Sequence, residues 1–113
     1  MLTASVIVFA IAALGGVVLA LHVLRDKFAP WALSLVHALL GATGLVLLLL
    51  AVLKGAGGSL ATSALVVFIV AALGGFFLAS VHYRKQLPPK GIVVLHALLA
   101  VTGFGLLLTA VLT

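Results

Sequence analysis

The sequence has no cysteine among its 113 residues. Disulfides, thiolate metal sites, iron–sulfur clusters and c-type haem attachment all need cysteine and are therefore excluded. It also has a single acidic residue, Asp26, which lies in a basic turn. Hydrolytic enzymes need paired carboxylates, a thiol nucleophile or a Ser/His/Asp set. With one carboxylate and no thiol, the chain is not expected to be a hydrolytic enzyme.

Charged residues of either sign are scarce, and most of the sequence consists of long apolar runs. Only 6% of the residues are charged, 66% are hydrophobic and the mean hydropathy is +1.56, whereas soluble proteins carry about 25% charged residues. Four apolar runs, at residues 3–24, 30–53, 60–83 and 89–113, each reach the roughly 20 residues that span a bilayer. Four strands cannot close a barrel. The sequence therefore predicts an all-α membrane protein, a four-transmembrane-helix bundle forming one membrane domain over residues 1–113.

The basic residues are concentrated in two of the three connections, which hold Arg25, Lys27, Arg84, Lys85 and Lys90. The positive-inside rule then places the loops 25–29 and 84–90 in the cytoplasm and both termini outside an inner or plasma membrane. The net charge of +5 does not indicate nucleic-acid binding, because these residues flank membrane spans rather than covering a soluble face.

The chain reads as an internal duplication. A shift of 59 residues aligns residues 5–53 with residues 64–112 without a gap, and 23 of the 49 aligned pairs are identical. We interpret this as internal repeats over residues 3–53 and 62–112, joined by the linker 54–59. Because each repeat holds two spans, the bundle is expected to consist of two parallel helical hairpins around a pseudo-two-fold axis along the membrane normal. Sequential helices should be neighbours, which places the first opposite the third.

Four histidines interrupt the apolar runs, and each has a glycine seven residues deeper in the span. The pairs are Gly15/His22, His37/Gly44, Gly75/His82 and His96/Gly103. Seven residues is about two helical turns, so each pair shares a face about 10 Å apart along the axis. An ionisable side chain inside a membrane span is a functional hypothesis by default. A ligand-capable ring beside a surface without side chains suits a flat cofactor, which predicts haem.

The four histidines are not equivalent in the alignment. His37 and His96 match each other and are expected to face across the axis as the ligands of haem iron. His22 and His82 are offset by one residue in the repeat. They are expected nearly opposite each other and closer to the basic edge, near the haem propionates or as alternative ligands.

One haem b is the favoured count. The two histidine pairs differ in depth by only about 4–5 Å, so both cannot hold a porphyrin on the central axis. A second haem, if bound, would lie at an oligomer interface. Arg25 and Arg84 are expected to pair with the propionates, because charge-assisted bonds are available at that edge.

The segment His96-Ala97…Gly103-Phe104-Gly105 resembles a haem-ligand helix of the ascorbate-reducible transmembrane b-type cytochromes. In that family a His-Ala pair is followed, seven residues after the histidine, by glycine, an aromatic residue and often a second glycine. The segment His37-Ala38…Gly44-Leu45 is a partial copy. The resemblance implies an axial-ligand role for His96 and, by repeat, for His37.

Three functions follow from these residues. The first is a b-type cytochrome that exchanges electrons with quinone or a partner subunit. The second is a non-redox accessory subunit of a larger membrane complex, or a homo-oligomer, with histidines in interhelical hydrogen bonds. The third is a histidine metal or proton pathway. A single metal site would require all four imidazoles to converge to about 2.1 Å from one ion.

Overall fold

A computed structural model describes all 113 residues of the chain. It contains four α-helices joined by short connections, and no strands. The helices are α1 (Leu2–Leu24), α2 (Trp31–Leu53), α3 (Gly58–Tyr83) and α4 (Lys90–Leu112). Each is long and apolar enough to cross a membrane. The bundle is 41 Å long, which exceeds a hydrocarbon core of about 30 Å. The predicted all-helical class and four helices of membrane-spanning length and hydropathy are confirmed.

The helices form a ring in chain order. Helix α1 packs against α2 and α4, and helix α3 packs against the same two helices. The backbones of α1 and α3 do not meet, and neither do those of α2 and α4. The predicted adjacency of sequential helices is thus observed, because short connections leave each helix no reach beyond its neighbour.

The inward face of each helix repeats at alternating spacings of three and four residues, as in a coiled coil. Its buried members include Ser5, Phe9 and Ala12 in α1, Gly44, Leu48 and Ala51 in α2, Ala64, Phe68 and Ala71 in α3, and Gly103 and Leu107 in α4. Most are small or aromatic. Lipid is as apolar as leucine, so membrane helices associate through close packing, which small residues permit, and not through burial of leucine.

The densest apolar core lies in the half of the bundle nearer the α2–α3 connection. Phe9 and Phe68 stack there with ring centroids 4.0 Å apart and planes within 2° of parallel. Leu48 and Leu107, which pack in the same cluster as the two phenyl rings, are completely buried. The larger hydrophobic side chains elsewhere are mostly on the outside of the bundle, where a lipid solvent favours them.

The basic end is closed by two turns of the same form. Helices α1 and α3 are each followed, two residues later, by a residue with left-handed backbone, Asp26 (φ 57°) and Lys85 (φ 59°). The next backbone N–H groups, of Lys27 and Gln86, donate to carbonyl oxygens of the last helical turn, at His22 and Val81. Lys90 forms an ion pair with Asp26 at 3.0 Å, which joins the two basic connections. An exposed pair of this kind contributes at most about 1 kcal/mol.

Candidate cofactor site

The two repeat-equivalent histidines make the same hydrogen bond. His37 Nδ1–H donates to the carbonyl oxygen of Ala12 at 2.8 Å, and His96 Nδ1–H donates to that of Ala71 at 2.8 Å. A carbonyl oxygen only accepts, so Nδ1 carries the proton in both rings. In the neutral imidazole, Nε2 then holds a free lone pair. A backbone carbonyl on Nδ1 is also the usual way in which proteins orient a metal-ligating histidine.

The two imidazoles lie across the bundle axis from each other. Their ring centroids are 6.2 Å apart, and the ring planes are inclined by 83°. No hydrogen bond joins the two rings or engages either Nε2. Neither Nε2 is completely enclosed by protein atoms. Two imidazoles on opposite sides of one metal ion, each with a metal–nitrogen bond of about 2 Å, have ring centres about 6 Å apart.

Glycines hold the edges of these rings. A Cβ added at Gly16 would lie 2.9 Å from Cε1 of His37, and one added at Gly75 would lie 3.0 Å from Cε1 of His96. Only glycine allows this approach without a shift of the ring. Gly75 was a predicted site residue, although its predicted partner was the histidine seven residues later. For Gly15, the added Cβ would meet Leu33 Cδ1 at 3.7 Å, so its neighbour Gly16 makes the tighter contact.

The other two predicted glycines contact phenylalanine instead. A Cβ at Gly44 would lie 2.9 Å from the ring of Phe9, and a Cβ at Gly103 would lie 3.2 Å from the ring of Phe68. The stacked phenyl rings therefore rest on these glycines, about two turns from the imidazoles. Sequence reasoning missed the phenylalanine pair, although Phe9 and Phe68 occupy equivalent positions in the 59-residue repeat.

Small residues separate the imidazole layer from the phenyl layer. Ala12 and Ala71 are buried, and Gly41 and Ala100, one turn after the two histidines, are half-buried. Gly41 lies on the inward face of α2, between His37 and Leu48. A Cβ added to Gly41 would meet no atom within 4 Å. The backbone of α2 at Gly41 therefore has open space beside it, one turn from His37.

The remaining histidines are placed differently from each other. His22 Nδ1–H donates to the carbonyl oxygen of Val18 in its own helix at 2.8 Å. His82 Nε2–H donates to the carbonyl oxygen of Ala29 at 2.9 Å, and its Nδ1 lies 2.6 Å from Ser34 Oγ. His82 therefore ties α3 to α2 and to the α1–α2 connection. The two rings do not form a facing pair, because the one-residue offset rotates one of them by about 100°.

Arg25 and Arg84 lie where the sequence places them, at the exposed basic end of α1 and α3. Arg84 Nε–H donates to the carbonyl oxygen of Ser80 at 3.2 Å. Their positions suit counter-charges for acidic groups that protrude from the bundle toward that end.

The donor set consists of two facing imidazoles, the number that a six-coordinate haem iron takes as axial ligands. His, Asp and Glu residues nowhere gather in groups of three or more that could hold a metal ion. The single pair that faces across the axis has its protons on Nδ1 and its Nε2 atoms free. A ligating imidazole requires one ring nitrogen that is free and a second that is oriented by a hydrogen bond.

Comparison with known proteins gives no further assignment. The chain matches no protein-family model, no curated protein and no solved structure.

Proposed function

We propose that the protein is an integral membrane b-type cytochrome whose axial haem ligands are His37 and His96. The observation that carries the proposal is the facing pair of imidazoles, 6.2 Å apart, with each Nδ1–H tied to a backbone carbonyl. Haem bound there would supply one-electron redox chemistry. The proposed activity is electron transfer to or from quinone or a partner subunit.

The residues of the chain have three tasks in this function. The carbonyls of Ala12 and Ala71 fix the tautomer and direction of the two imidazoles. Gly16 and Gly75 let α1 and α3 approach the ring edges. The phenylalanine stack closes the axis on one side with apolar surface, which excludes water and lowers the local dielectric.

Two parallel helical-hairpin repeats account for this pairing. If the hairpins are related by a pseudo-two-fold axis along the membrane normal, any residue near the axis faces its own counterpart. His37 and His96 face each other, and so do Phe9 and Phe68. One haem b on this axis is the proposed stoichiometry. The basic loops would face the cytoplasm by the positive-inside rule, with Arg25 and Arg84 beside the propionates.

The visible spectrum of the detergent-purified protein tests the proposal. We expect a Soret band that shifts on reduction by dithionite, with resolved α and β bands of a six-coordinate haem. Haem extracted from the sample should approach one per chain. A protein that is well folded but colourless, and that takes up no added hemin, would overturn the assignment.

A second function, a non-redox accessory subunit, is favoured by a different observation. All four histidines make hydrogen bonds, and those of His37, His82 and His96 join two helices without any cofactor. Under that function, replacing His37 by asparagine would change bundle stability and partner assembly but no spectrum. Co-purification of the native complex from membranes, followed by its absorption spectrum, separates the two functions.

A further inference from the structure

A cleft at the basic end of the bundle is distinct from the histidine pair on the axis. It has a volume of about 560 Å³ and opens to the surface where α2 begins and α3 ends. Its walls are formed by Phe28, Ala29, Trp31, His82, Tyr83 and Lys85. Trp31 lies over both neighbouring rings, with centroids 5.3 Å from His82 and 5.6 Å from Tyr83.

The free polar groups of the cleft are hydrogen-bond donors. Both ring nitrogens of His82 are already engaged, by Ser34 and Ala29. The indole N–H of Trp31, the hydroxyl of Tyr83 and the ammonium of Lys85 make no hydrogen bond or ion pair within the protein. No carboxylate lines the cleft. A ligand for it should therefore bring acceptor oxygens and negative charge.

The duplication makes this cleft specific to one side of the molecule. The shift of 59 residues aligns each lining residue with a different residue of the other half. The aligned pairs are Phe28/Leu87, Ala29/Pro88, Trp31/Lys90, His82/Val23, Tyr83/Leu24 and Lys85/Asp26. None of the six pairs is identical, although 23 of all 49 aligned pairs are. Lys85 even pairs with Asp26, a residue of opposite charge. The two halves thus differ where the cleft lies, while the ring pairs on the axis, Phe9/Phe68 and His37/His96, are identical.

Lys85 is also held in an unfavourable backbone conformation. Its φ of 59° lies in the left-handed region, where glycine is favoured at the end of a helix. Asp26, the equivalent residue of α1, tolerates that region better and has an ion-pair partner in Lys90. Strain of this kind persists where the side chain has a use. Lys85 is one of the residues that line the cleft.

The position of the cleft relative to the membrane surface indicates which anions can reach it. Trp31 and Tyr83 lie at the ends of membrane-spanning helices, the level at which aromatic belts contact lipid headgroups. The same end carries five of the six basic residues and one acid. We propose that the cleft binds the phosphate headgroup of an anionic phospholipid, with Lys85 as its counter-charge and Trp31 and Tyr83 as its hydrogen-bond donors.

Native mass spectrometry of the detergent-purified protein, titrated with phosphatidylglycerol or phosphatidylcholine, tests this site. We expect phosphatidylglycerol to bind more tightly, and Lys85→Gln to weaken its binding about fivefold, the effect of one basic residue near an anionic surface. Glutamine meets the same backbone strain as lysine, so the substitution removes only the charge. Lys27→Gln is the matched control, because Lys27 lies at the same end but outside the cleft. Tyr83→Leu, which installs the residue of the other repeat, should weaken binding by a smaller factor.

Three results would overturn the proposal. Equal losses in Lys85→Gln and Lys27→Gln would show diffuse attraction rather than a site. Equal affinity for the two lipids would show that charge is not recognised. Displacement of phosphatidylglycerol by millimolar inorganic phosphate would identify a site for a soluble anion instead. Haem content does not enter the measurement, so the result stands whether or not the protein is a cytochrome.

Discussion

Two layers of the bundle each place a pair of rings across the bundle axis, and the two pairs differ in separation and in ring orientation. Phe9 and Phe68 stack face to face with centroids 4.0 Å apart, so nothing fits between them. His37 and His96 stay 6.2 Å apart with nearly perpendicular planes and no bond between them. Glycines contact the rings of both layers. A glycine on the same helix face as a ring-bearing residue therefore indicates a close ring contact, and it does not by itself indicate a cofactor. The free Nε2 atoms distinguish the histidine layer as the candidate site.

The largest expected effect separates the two layers by haem content. His37→Ala or His96→Ala removes one axial ligand, and we expect the six-coordinate spectrum to be lost in either variant. Phe9→Leu keeps an apolar side chain in the phenylalanine layer, and this variant should retain the six-coordinate spectrum. Absorption spectra of the three purified variants, normalised to protein, make the comparison. If Phe9→Leu loses as much haem as the histidine variants, the functional distinction between the layers is wrong.

A pair of identical substitutions in α2 should change stability in opposite directions. Gly44→Ala places a Cβ 2.9 Å from the Phe9 ring, and this overpacking should cost about 1–3 kcal/mol. Gly41→Ala meets no atom within 4 Å and should gain about 0.5–1 kcal/mol, because alanine loses less backbone entropy in a helix. Reversible unfolding of the haem-free protein in mixed detergent measures both changes in stability. Equal losses at the two positions would show that the space beside Gly41 is filled.

Adjacent glycines in α1 sharpen the comparison within the histidine layer. Gly16→Ala forces the His37 ring to move, since the added Cβ would lie 2.9 Å from Cε1. We expect hemin affinity to fall about tenfold, equivalent to about 1.4 kcal/mol. Gly15→Ala is the matched control, with ordinary contacts of 3.7 Å or more. Hemin titration of both variants gives the ratio, and equal affinities would contradict a ring position set by Gly16.

The smallest expected effect lies outside both layers. Ser34→Ala removes the 2.6 Å contact with His82 Nδ1, and an interhelical hydrogen bond in a membrane is worth about 0.6–2 kcal/mol. We expect lower stability with unchanged haem content and spectrum. Unfolding and absorption measured on the same sample check both. A shifted spectrum would indicate that His82 acts on the haem site.

The fold class was largely predictable because hydropathy determines it. Four apolar runs can only be helices in lipid, and short connections make sequential helices neighbours. The ring contacts were harder to predict. Gly15 and Gly16 are consecutive, and choosing between them requires the rotation of α1 about its axis, which a uniformly apolar sequence does not specify.

The roles of the outer histidines also depend on detail that periodicity does not contain. A one-residue offset directs His22 to a carbonyl of its own helix and His82 to Ser34 and Ala29 on its neighbours. The phenylalanine stack could have been predicted. Phe9 and Phe68 are aromatic residues at aligned positions, 59 residues apart, and both lie on inward helix faces.

The central claim is that His37 and His96 bind one iron between them, and a hemin titration of the purified protein tests it most directly. We predict saturation at one hemin per chain, with a low-spin, six-coordinate electron paramagnetic resonance signal from the oxidised complex. A folded protein that binds no hemin, or that gives only a five-coordinate high-spin signal, would contradict the claim.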